Sequence, residues 1–425
     1  MYRIINIIEF SPKYEYAGAD DYSSTIHYWL NPKGEMIGVW KEDFGHLLGF
    51  NILKSHPEII FEVWRPDYRA EKVYEHVFKN GLVHRSFPET SVKIQKGFLK
   101  KSCIYSPMME EYLEKVISDQ TRQTIVIVPA IFNAFSIRLL KKFENKTPFL
   151  GFHLLNNNYL FKKGPSTFNP LKYLHYRLIS IQNKNYLRKF NCISVGHFEK
   201  SDELKKLCKC PVKFNQLGDD SELWNVEMTK EQARSELNLH AKRILLFSNR
   251  LVPEYHIDKI LNSLKKFAGA DFLCIFTSRG TAEYTDHLKK LVIQLHLEKN
   301  ILFTGYIPVK DVKTYLTACD VFCTTPVQSA GSGAAISAIL LERPVITTDS
   351  GLHAELLKKH NCGIILPPQD YKKWEEVFSY VIASDELKIN LLDGQNITSF
   401  LSWEVCLKNW METFRETIDN FNHSG

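Results

Sequence analysis

The chain has 425 residues, of which 44% are hydrophobic and 24% are charged, and its formal net charge is +6. This composition is typical of soluble globular proteins and excludes a disordered or fibrous chain, while the length predicts two domains of about 200 residues each. No apolar run approaches the roughly 20 residues of a membrane-spanning helix, so no such helix is predicted.

The first half of the chain predicts alternating strands and helices, because short runs rich in β-branched and aromatic residues alternate with helical patterns. The predicted strands are residues 3–10, 59–64, 124–129, 148–153, 192–195 and 212–216, with helices at 110–117 and 135–143. The opening run is expected to form a strand rather than a signal peptide, because Glu9 interrupts the apolar run and no small-residue cleavage site follows. A cytoplasmic protein is therefore expected.

The second half repeats this alternation more regularly. Its predicted strands are residues 243–248, 272–277, 301–304, 320–324, 344–348 and 363–366, with helices at 257–267, 284–295, 309–317 and 334–341. Each half therefore predicts an α/β domain whose mostly parallel sheet carries helices on both faces. Ligands of such sheets bind at the carboxyl ends of the strands.

The positive charge is concentrated in one part of the chain. Residues 145–198 contain no Asp or Glu, and their basic residues are Lys146, Lys162, Lys163, Lys172, Arg177, Lys184, Arg188 and Lys189. Together with interleaved aromatic residues, they suit an anionic membrane surface or an anionic acceptor. A solvated face that happens to be basic is the open alternative. Nucleic acid is not expected as a partner, because no recognition module is visible.

The nine cysteines of the chain indicate reduced, mostly buried thiols. Cys208 and Cys210 form the only close pair and lack the partner Cys or His residues of a zinc site, so no metal is expected.

Residues 318–349 predict a strand, a Gly-rich turn, a helix and a second strand, which together form one βαβ unit. The sequence Gly331-Ser332-Gly333 stands at the start of the helix. Backbone N–H groups at a helix N-terminus bind anions, and a phosphate suits them best. The alternative is an ordinary Gly-rich turn of a doubly wound fold.

The order and spacing of this unit resemble the nucleotide-sugar subsite of family-4-like retaining glycosyltransferases of GT-B architecture. Two Glu residues of that family fall on Ser329 and Ser337 here. The resemblance implies that Ser329 lies near the donor sugar and Ser337 near the ribose, with weaker contacts because serine carries no charge. It also implies that the backbone of Ala330–Gly333, which includes Gly331 and Ser332, cradles the diphosphate.

Other donor-site residues are implied by the same resemblance. Arg250 matches the Arg that holds the diphosphate, whereas the Lys and Gly that follow in the family fall on Tyr255 and His256. Loss of the Lys weakens the expected binding, and a protonated His256 would restore part of the charge. A surface ion pair is the alternative role for Arg250.

Three residues after the next two strands complete the implied donor site. Gly280 matches the second Gly of a Gly-x-Gly motif of the family. Gly305 and Tyr306 match a segment whose backbone reads the nucleobase, and a simple turn before a helix is the alternative.

The first domain is implied to hold the acceptor. His153 ends a predicted strand where relatives carry a His near the reacting sugar, which implies a catalytic role, and a core histidine is the alternative. Gly18 is the remaining Gly of a family loop, and Asp20 and Asp21 lie beside it on the expected acceptor side.

The resemblance also implies the domain limits. A linker-like segment ends the first domain, so residues 1–218 are expected to form the acceptor-binding Rossmann-like domain and residues 219–404 the nucleotide-sugar-binding one. The C-terminal helix, residues 405–425, is expected to pack back on the first domain.

The implied fold is α/β, with two Rossmann-like doubly wound domains facing a cleft. The implied function is transfer of a sugar, with retention, from a nucleotide diphosphate sugar to a glycan, lipid-linked or other acceptor in polysaccharide biosynthesis. Neither a cofactor nor a metal is expected, and the protein is expected in the cytoplasm or at the inner face of the membrane. The missing acids leave open a catalytically silent relative that acts as a partner or glycan-binding subunit. A sugar-nucleotide epimerase of the same architecture, which shares a Ser-Gly-rich turn before a helix, is a further alternative, although its hallmark acids are not visible.

Overall fold

The structure is a computed structural model that describes residues 2–7, 44–67, 70–96, 99–119, 121–129, 131, 134–153, 170–196, 198–218, 228–278, 280–305, 307, 309–326, 332–391 and 400–424. These residues divide into two compact units. The first unit contains the described residues up to Gly218 and those from Trp403 onward, and the second contains the described residues between them.

The first unit is an α/β unit with additional short strands. Its elements are β1 (Tyr2–Ile7), α1 (Phe44–Ser55), β2 (Ile60–Asp67), β3 (Tyr74–Val77), β4 (Val83–Pro88), β5 (Thr90–Lys96), β6 (Leu99–Tyr105), α2 (Pro107–Ser118), β7 (Gln123–Pro129), α3 (Ala134–Phe143), β8 (Phe149–His153), α4 (Pro170–Leu187), β9 (Cys192–Val195), α5 (Phe198–Lys205) and β10 (Val212–Phe214).

An eight-stranded sheet in the order β10-β9-β8-β7-β1-β2-β4-β3 forms the centre of the first unit. Its neighbouring strands are parallel except for the antiparallel pair β3 and β4. In the register of β1, Ile5 lies opposite Glu62 of β2 and Val126 of β7. Ile4 and Ile5 are fully buried in different core clusters, which explains the continuous apolar run of this strand.

A C-terminal helix covers one face of this sheet. This helix comprises Trp403–Ser424 and is called α13. Leu407, Trp410, Phe414 and Ile418 recur at helical spacing and belong to the same core cluster as β1 and α1. The indole N–H of Trp410 donates to the carbonyl of Gln216 at 2.9 Å, which ties the helix to the segment after β10.

The second unit is a regular doubly wound α/β unit. Its elements are α6 (Lys230–Glu236), β11 (Arg243–Phe247), α7 (Ile257–Leu264), β12 (Phe272–Phe276), α8 (Ala282–Gln294), β13 (Ile301–Phe303), α9 (Val309–Ala318), β14 (Val321–Thr324), α10 (Gly333–Leu340), β15 (Val345–Thr348), α11 (Leu352–Lys359), β16 (Ile364–Leu366) and α12 (Tyr371–Ala383).

The six strands of the second unit are parallel and lie in the order β13-β12-β11-β14-β15-β16. The strand order therefore reverses between β11 and β14. Leu245 and Phe247 face one core cluster, while Ile244 and Leu246 face the other. The sheet is buried on both faces, as the predicted helices on both sides require.

The predicted fold class of two α/β domains with doubly wound parallel sheets is confirmed. The second-unit strands begin and end within one residue of the predictions. In the first unit the prediction was incomplete, because β3, β4 and the antiparallel hairpin of β5 and β6 were missed. Within the described ranges, no helix combines the length and apolar character that crossing a membrane requires.

Candidate donor site

The carboxyl edge of the second sheet carries a polar contact where the strand order reverses. Asn249 follows β11 and is only 3% exposed, and its side-chain oxygen accepts the N–H of Thr325, which follows β14, at 3.3 Å. Doubly wound sheets bind their ligands at this reversal point, outside the carboxyl ends of the strands. The contact fixes the two loops that border the candidate site.

Threonine hydroxyls stabilise the same edge. Each of four threonines lies at or just after the end of a strand and donates its hydroxyl to a backbone carbonyl of a neighbouring segment. The pairs are Thr277 with Phe247 at 3.3 Å, Thr304 with Phe276 at 3.3 Å, Thr325 with Tyr255 at 2.9 Å, and Thr348 with Pro326. Sequence reasoning missed these residues, although a threonine at the end of four successive strands was a visible signal.

Helix α10 begins beside this edge. Ser332 is its N-cap, and the Ser332 hydroxyl accepts the N–H of Ala335 at 3.2 Å. In helix geometry the N–H groups of the first residues, Gly333 and Ala334, have no carbonyl one turn back. Among the described residues, no heavy atom lies within 4 Å of a Cβ added to Gly333. The described residues therefore leave the start of α10 open to an anion, which the helix dipole favours.

A buried histidine holds the start of α10 in place. His353, in the first turn of α11, is fully buried, and its Nδ1 accepts the N–H of Ser332 at 3.2 Å. Its Nε2 lies 2.9 Å from the hydroxyl of Thr347, which itself donates to the carbonyl of Thr348. A backbone N–H can only donate, so the neutral ring carries its proton on Nε2 and donates it to Thr347. Sequence reasoning did not identify His353.

Ser337 uses its hydroxyl inside its own helix. The hydroxyl donates to the carbonyl of Gly333 at 3.1 Å, and the residue is 6% exposed. This hydrogen bond uses the hydroxyl proton, so the Ser337 oxygen could only accept a hydrogen bond from a ligand. The predicted ribose contact of Ser337 stays a prediction.

The segment after β11 carries the predicted cation. Arg250 is exposed directly beyond the strand. Pro253–Tyr255 form one 3-10 turn, and the Tyr255 ring packs partly against the core, so it does not replace the cation of a lysine. His256 has a φ of 52°, a left-handed conformation that glycine adopts more readily, which explains the glycine of the resembling family at this position. Its Nε2 lies 3.3 Å from the amide nitrogen of Gln369.

Two of the predicted glycines have a structural explanation within the unit. A Cβ on Gly280 would lie 1.9 Å from the carbonyl oxygen of Leu251, with which Gly280 forms a parallel bridge. Gly305 has a φ of 73°, in the region that favours glycine. The contact with Leu251 and the left-handed backbone of Gly305 therefore favour glycine at these positions whether or not a ligand approaches them.

Asp320, at the start of the predicted βαβ unit, lies at the opposite edge of the sheet from these residues. This buried carboxylate forms ion pairs with Lys230, Arg234 and Arg243, and accepts the N–H of Ile244 at 2.7 Å. Its role is therefore to join α6 to the start of β11. In the described part of the chain, no group of three or more His, Cys, Asp or Glu residues could hold a metal ion.

The first-unit predictions are only partly covered by the structure. His153 is the last residue of β8, at the carboxyl edge of its sheet and opposite Val195 of β9, and its catalytic role stays a prediction. Several predicted residues lie outside the described residues, namely Gly18, Asp20, Asp21, Tyr306, Ser329, Ala330 and Gly331.

Comparison with known proteins defines the class of the second unit. Residues 229–391 match the family model described as "Glycosyl transferases group 1". This range contains the whole second sheet and the residues around its carboxyl edge. Over this range, which is less than half of the chain, the second unit is similar to group 1 glycosyl transferases.

Solved structures extend the likeness to the first unit. Sucrose-phosphate synthase from Thermosynechococcus elongatus aligns over 99% of this chain and 100% of its own, with a TM-score of 0.69 and 15% identity. Anabaena Alr3699/HepE in complex with UDP aligns over 98% of this chain and 100% of its own, with a TM-score of 0.60 and 13% identity. At this identity the likeness shows the fold, and the predicted resemblance to GT-B glycosyltransferases is confirmed.

Among curated proteins, spore coat protein SA of Bacillus subtilis (strain 168) is 25% identical over 202 residues. The match covers 45% of this chain and 53% of the relative, so it spans about half of the relative's length.

Proposed function

We propose that the protein is a glycosyltransferase that binds a nucleotide diphosphate sugar at the carboxyl edge of the second sheet. The observation that carries this proposal is the start of α10 within the range that is similar to group 1 glycosyl transferases. No described atom lies within 4 Å of a Cβ added to Gly333, His353 holds the start of α10 in place, and the start lies beside the loop contact between Asn249 and Thr325.

The donor diphosphate is the part of the substrate that these groups suit best. The two negative charges of the diphosphate need hydrogen-bond donors. The N–H groups at the start of α10 are neutral donors that are aligned with the helix dipole. Arg250 is exposed after β11 and supplies a planar cation that can bind two oxygens at once. Tyr255 carries no positive charge and its ring packs against the core, so the site lacks a second fixed cation at that position, and donor binding is expected to be weak.

A uridine nucleotide is the first donor to test. Anabaena Alr3699/HepE, which shares the fold over 98% of this chain or more, has been solved with UDP and with UDP-glucose. This supports UDP-glucose as the probe for the second unit. GDP and ADP sugars serve as comparisons, because no described side chain selects the base.

The proposed transfer proceeds with retention and relies on positioning rather than on a protein nucleophile. The leaving diphosphate acts as the base toward the acceptor hydroxyl, and Arg250 with the start of α10 stabilises the charge that develops on it. We assign to His153 a place beside the reacting sugar, and to the first unit the binding of a glycan or lipid-linked acceptor, with Gly18, Asp20 and Asp21 on that side. No metal ion is required in this scheme, so EDTA should leave transfer unchanged.

The test of donor binding is the Arg250→Ala variant, titrated with UDP by calorimetry. Charge-assisted hydrogen bonds are worth about 1.5–3 kcal/mol, so the dissociation constant should rise by roughly 10- to 100-fold. Lys299→Ala is the matched control, because Lys299 is an exposed cation elsewhere on the second unit, and this variant should bind UDP as the wild type does. Equal affinity of the wild type and Arg250→Ala would place the diphosphate elsewhere.

A catalytically silent relative that binds a sugar chain or a partner is the second candidate. Two observations favour it, because the hydroxyl of Ser337 is bonded within its own helix and Tyr255 stands where the resembling family carries a lysine. Turnover separates the candidates. Release of UDP from UDP-glucose in the presence of acceptor supports the transferase, while UDP binding without release over a panel of acceptors supports the silent relative.

A further inference from the structure

The outward face of α4 exposes two large aliphatic side chains. Leu178 and Ile181 are each 57% exposed and lie three residues apart, so they are neighbours on one side of the helix. The other side carries Asn183, Tyr186 and Leu187, which are buried. Among the described residues, no other helix exposes two large apolar side chains one turn apart.

Basic side chains border this apolar pair. Arg177, Lys184 and Arg188 are exposed, and at helical spacing they follow one side of the stripe formed by Leu178 and Ile181. No carboxylate of the described residues forms an ion pair with Lys184 or Arg188. We call these five residues the α4 face.

Two other basic residues of the acid-free stretch form ion pairs. Two lysines of the acid-free stretch are neutralised, since Lys146 pairs with Glu114 at 2.5 Å and Lys189 pairs with Glu144. Lys162 and Lys163 lie outside the described residues. Within the described part of the stretch, Arg177, Lys184 and Arg188 are exposed on one helix, and the predicted membrane or acceptor surface stays a prediction.

We propose that the α4 face docks on the surface of an anionic phospholipid bilayer. Leu178 and Ile181 enter the boundary between headgroups and acyl chains, and Arg177, Lys184 and Arg188 contact lipid phosphates. A second copy of the chain fits this face poorly, because a two-fold contact would bring two basic faces together. The proposal does not depend on the donor site, because the α4 face belongs to the first unit.

The expected binding is reversible and sensitive to salt. Two apolar side chains bury less apolar surface in the bilayer than a single acyl chain does, and one acyl chain alone gives only marginal membrane binding. Each basic residue at an anionic surface strengthens binding by about fivefold, and this contribution is screened as the ionic strength rises.

Sedimentation with vesicles tests the proposal on the full chain. Wild-type protein should bind vesicles of equal parts phosphatidylcholine and phosphatidylglycerol at low salt, and should bind pure phosphatidylcholine at least tenfold more weakly. Lys184→Glu should weaken binding by about fivefold or more. Leu178→Ser combined with Ile181→Ser should also weaken it, with unchanged thermal stability because both side chains are exposed.

Helix α8 provides matched controls. Ile293 is 60% exposed and Lys290 is exposed on the same helix, so Ile293→Ser and Lys290→Glu make the same chemical changes on the second unit. Both controls should bind vesicles as the wild type does. The proposal is overturned if wild-type protein does not bind anionic vesicles at low salt, or if the α4 variants bind like the controls. It is also overturned if the apolar α4 variant instead abolishes a dimer seen by size-exclusion chromatography.

Discussion

His353 offers the sharpest test of how the second unit prepares the start of α10. His353→Ala removes the acceptor of the Ser332 N–H and the partner of the Thr347 hydroxyl, and it leaves a void where a fully buried ring stood. The lost contacts and the void together should lower the free energy of unfolding by about 2–4 kcal/mol. Without its anchor, the start of α10 should bind UDP about tenfold more weakly, which corresponds to the roughly 1.4 kcal/mol of one net hydrogen bond.

Two amide variants separate anchoring from general packing. His353→Asn places an amide oxygen where Nδ1 lies and should keep the acceptor for Ser332, so UDP affinity should return close to that of the wild type. His353→Gln places its amide near Nε2 and should keep the contact with Thr347 but not the anchor. Its stability should therefore recover more than its UDP affinity.

The assays are calorimetric titration with UDP and urea unfolding of the three variants. We expect UDP affinity to follow the contact with Ser332 and stability to follow the filling of the buried site. The anchoring role of His353 is refuted if all three variants bind UDP as the wild type does, or if His353→Asn binds no better than His353→Gln.

Three further predictions address the two units. Burial lowers the pKa of His84 well below its usual 6.5, and nearby His and Arg side chains lower it further. The unfolded chain therefore binds the proton more readily than the folded chain, and the free energy of unfolding falls as the pH drops below about 6.5. Urea unfolding at neutral and acidic pH should show this loss, with His84→Gln reducing it and the exposed His287→Gln leaving it unchanged. Gly280→Ala should cost about 1–3 kcal/mol in the same assay, because its Cβ would overlap the carbonyl of Leu251, and an unchanged midpoint would contradict that geometry. Gly333→Ala should leave stability unchanged and weaken UDP binding, because its Cβ meets none of the described atoms and would enter the proposed site. Unchanged UDP affinity would argue against a ligand there.

The second sheet could be predicted closely because its strands are buried on both faces. Strands such as β11 and β14 then appear as continuous apolar runs between polar segments. Strand β4 was missed for the opposite reason, because its buried residues are His84, Arg85, Ser86 and Phe87, and only Phe87 is apolar. The register of such a strand depends on partners that are distant in the sequence.

The candidate site was predictable where a motif reflects local backbone geometry. His256 illustrates this, because the glycine expected there corresponds to a left-handed backbone in the structure. The anchor of α10 could not be predicted, because Ser332 and His353 meet only after α10 and α11 pack beside β15. Gly280 matches a donor motif of the resembling family, and it is also explained by local packing, because a Cβ there would overlap the carbonyl of Leu251.

A crystal structure of the protein with UDP-glucose is the most direct test of the proposed donor site. We predict diphosphate oxygens within about 2.7–3.2 Å of the N–H groups of Gly333 and Ala334, and within the same distance of the Arg250 guanidinium. A diphosphate bound away from the start of α10, or an empty site at millimolar UDP-glucose, would contradict the proposal.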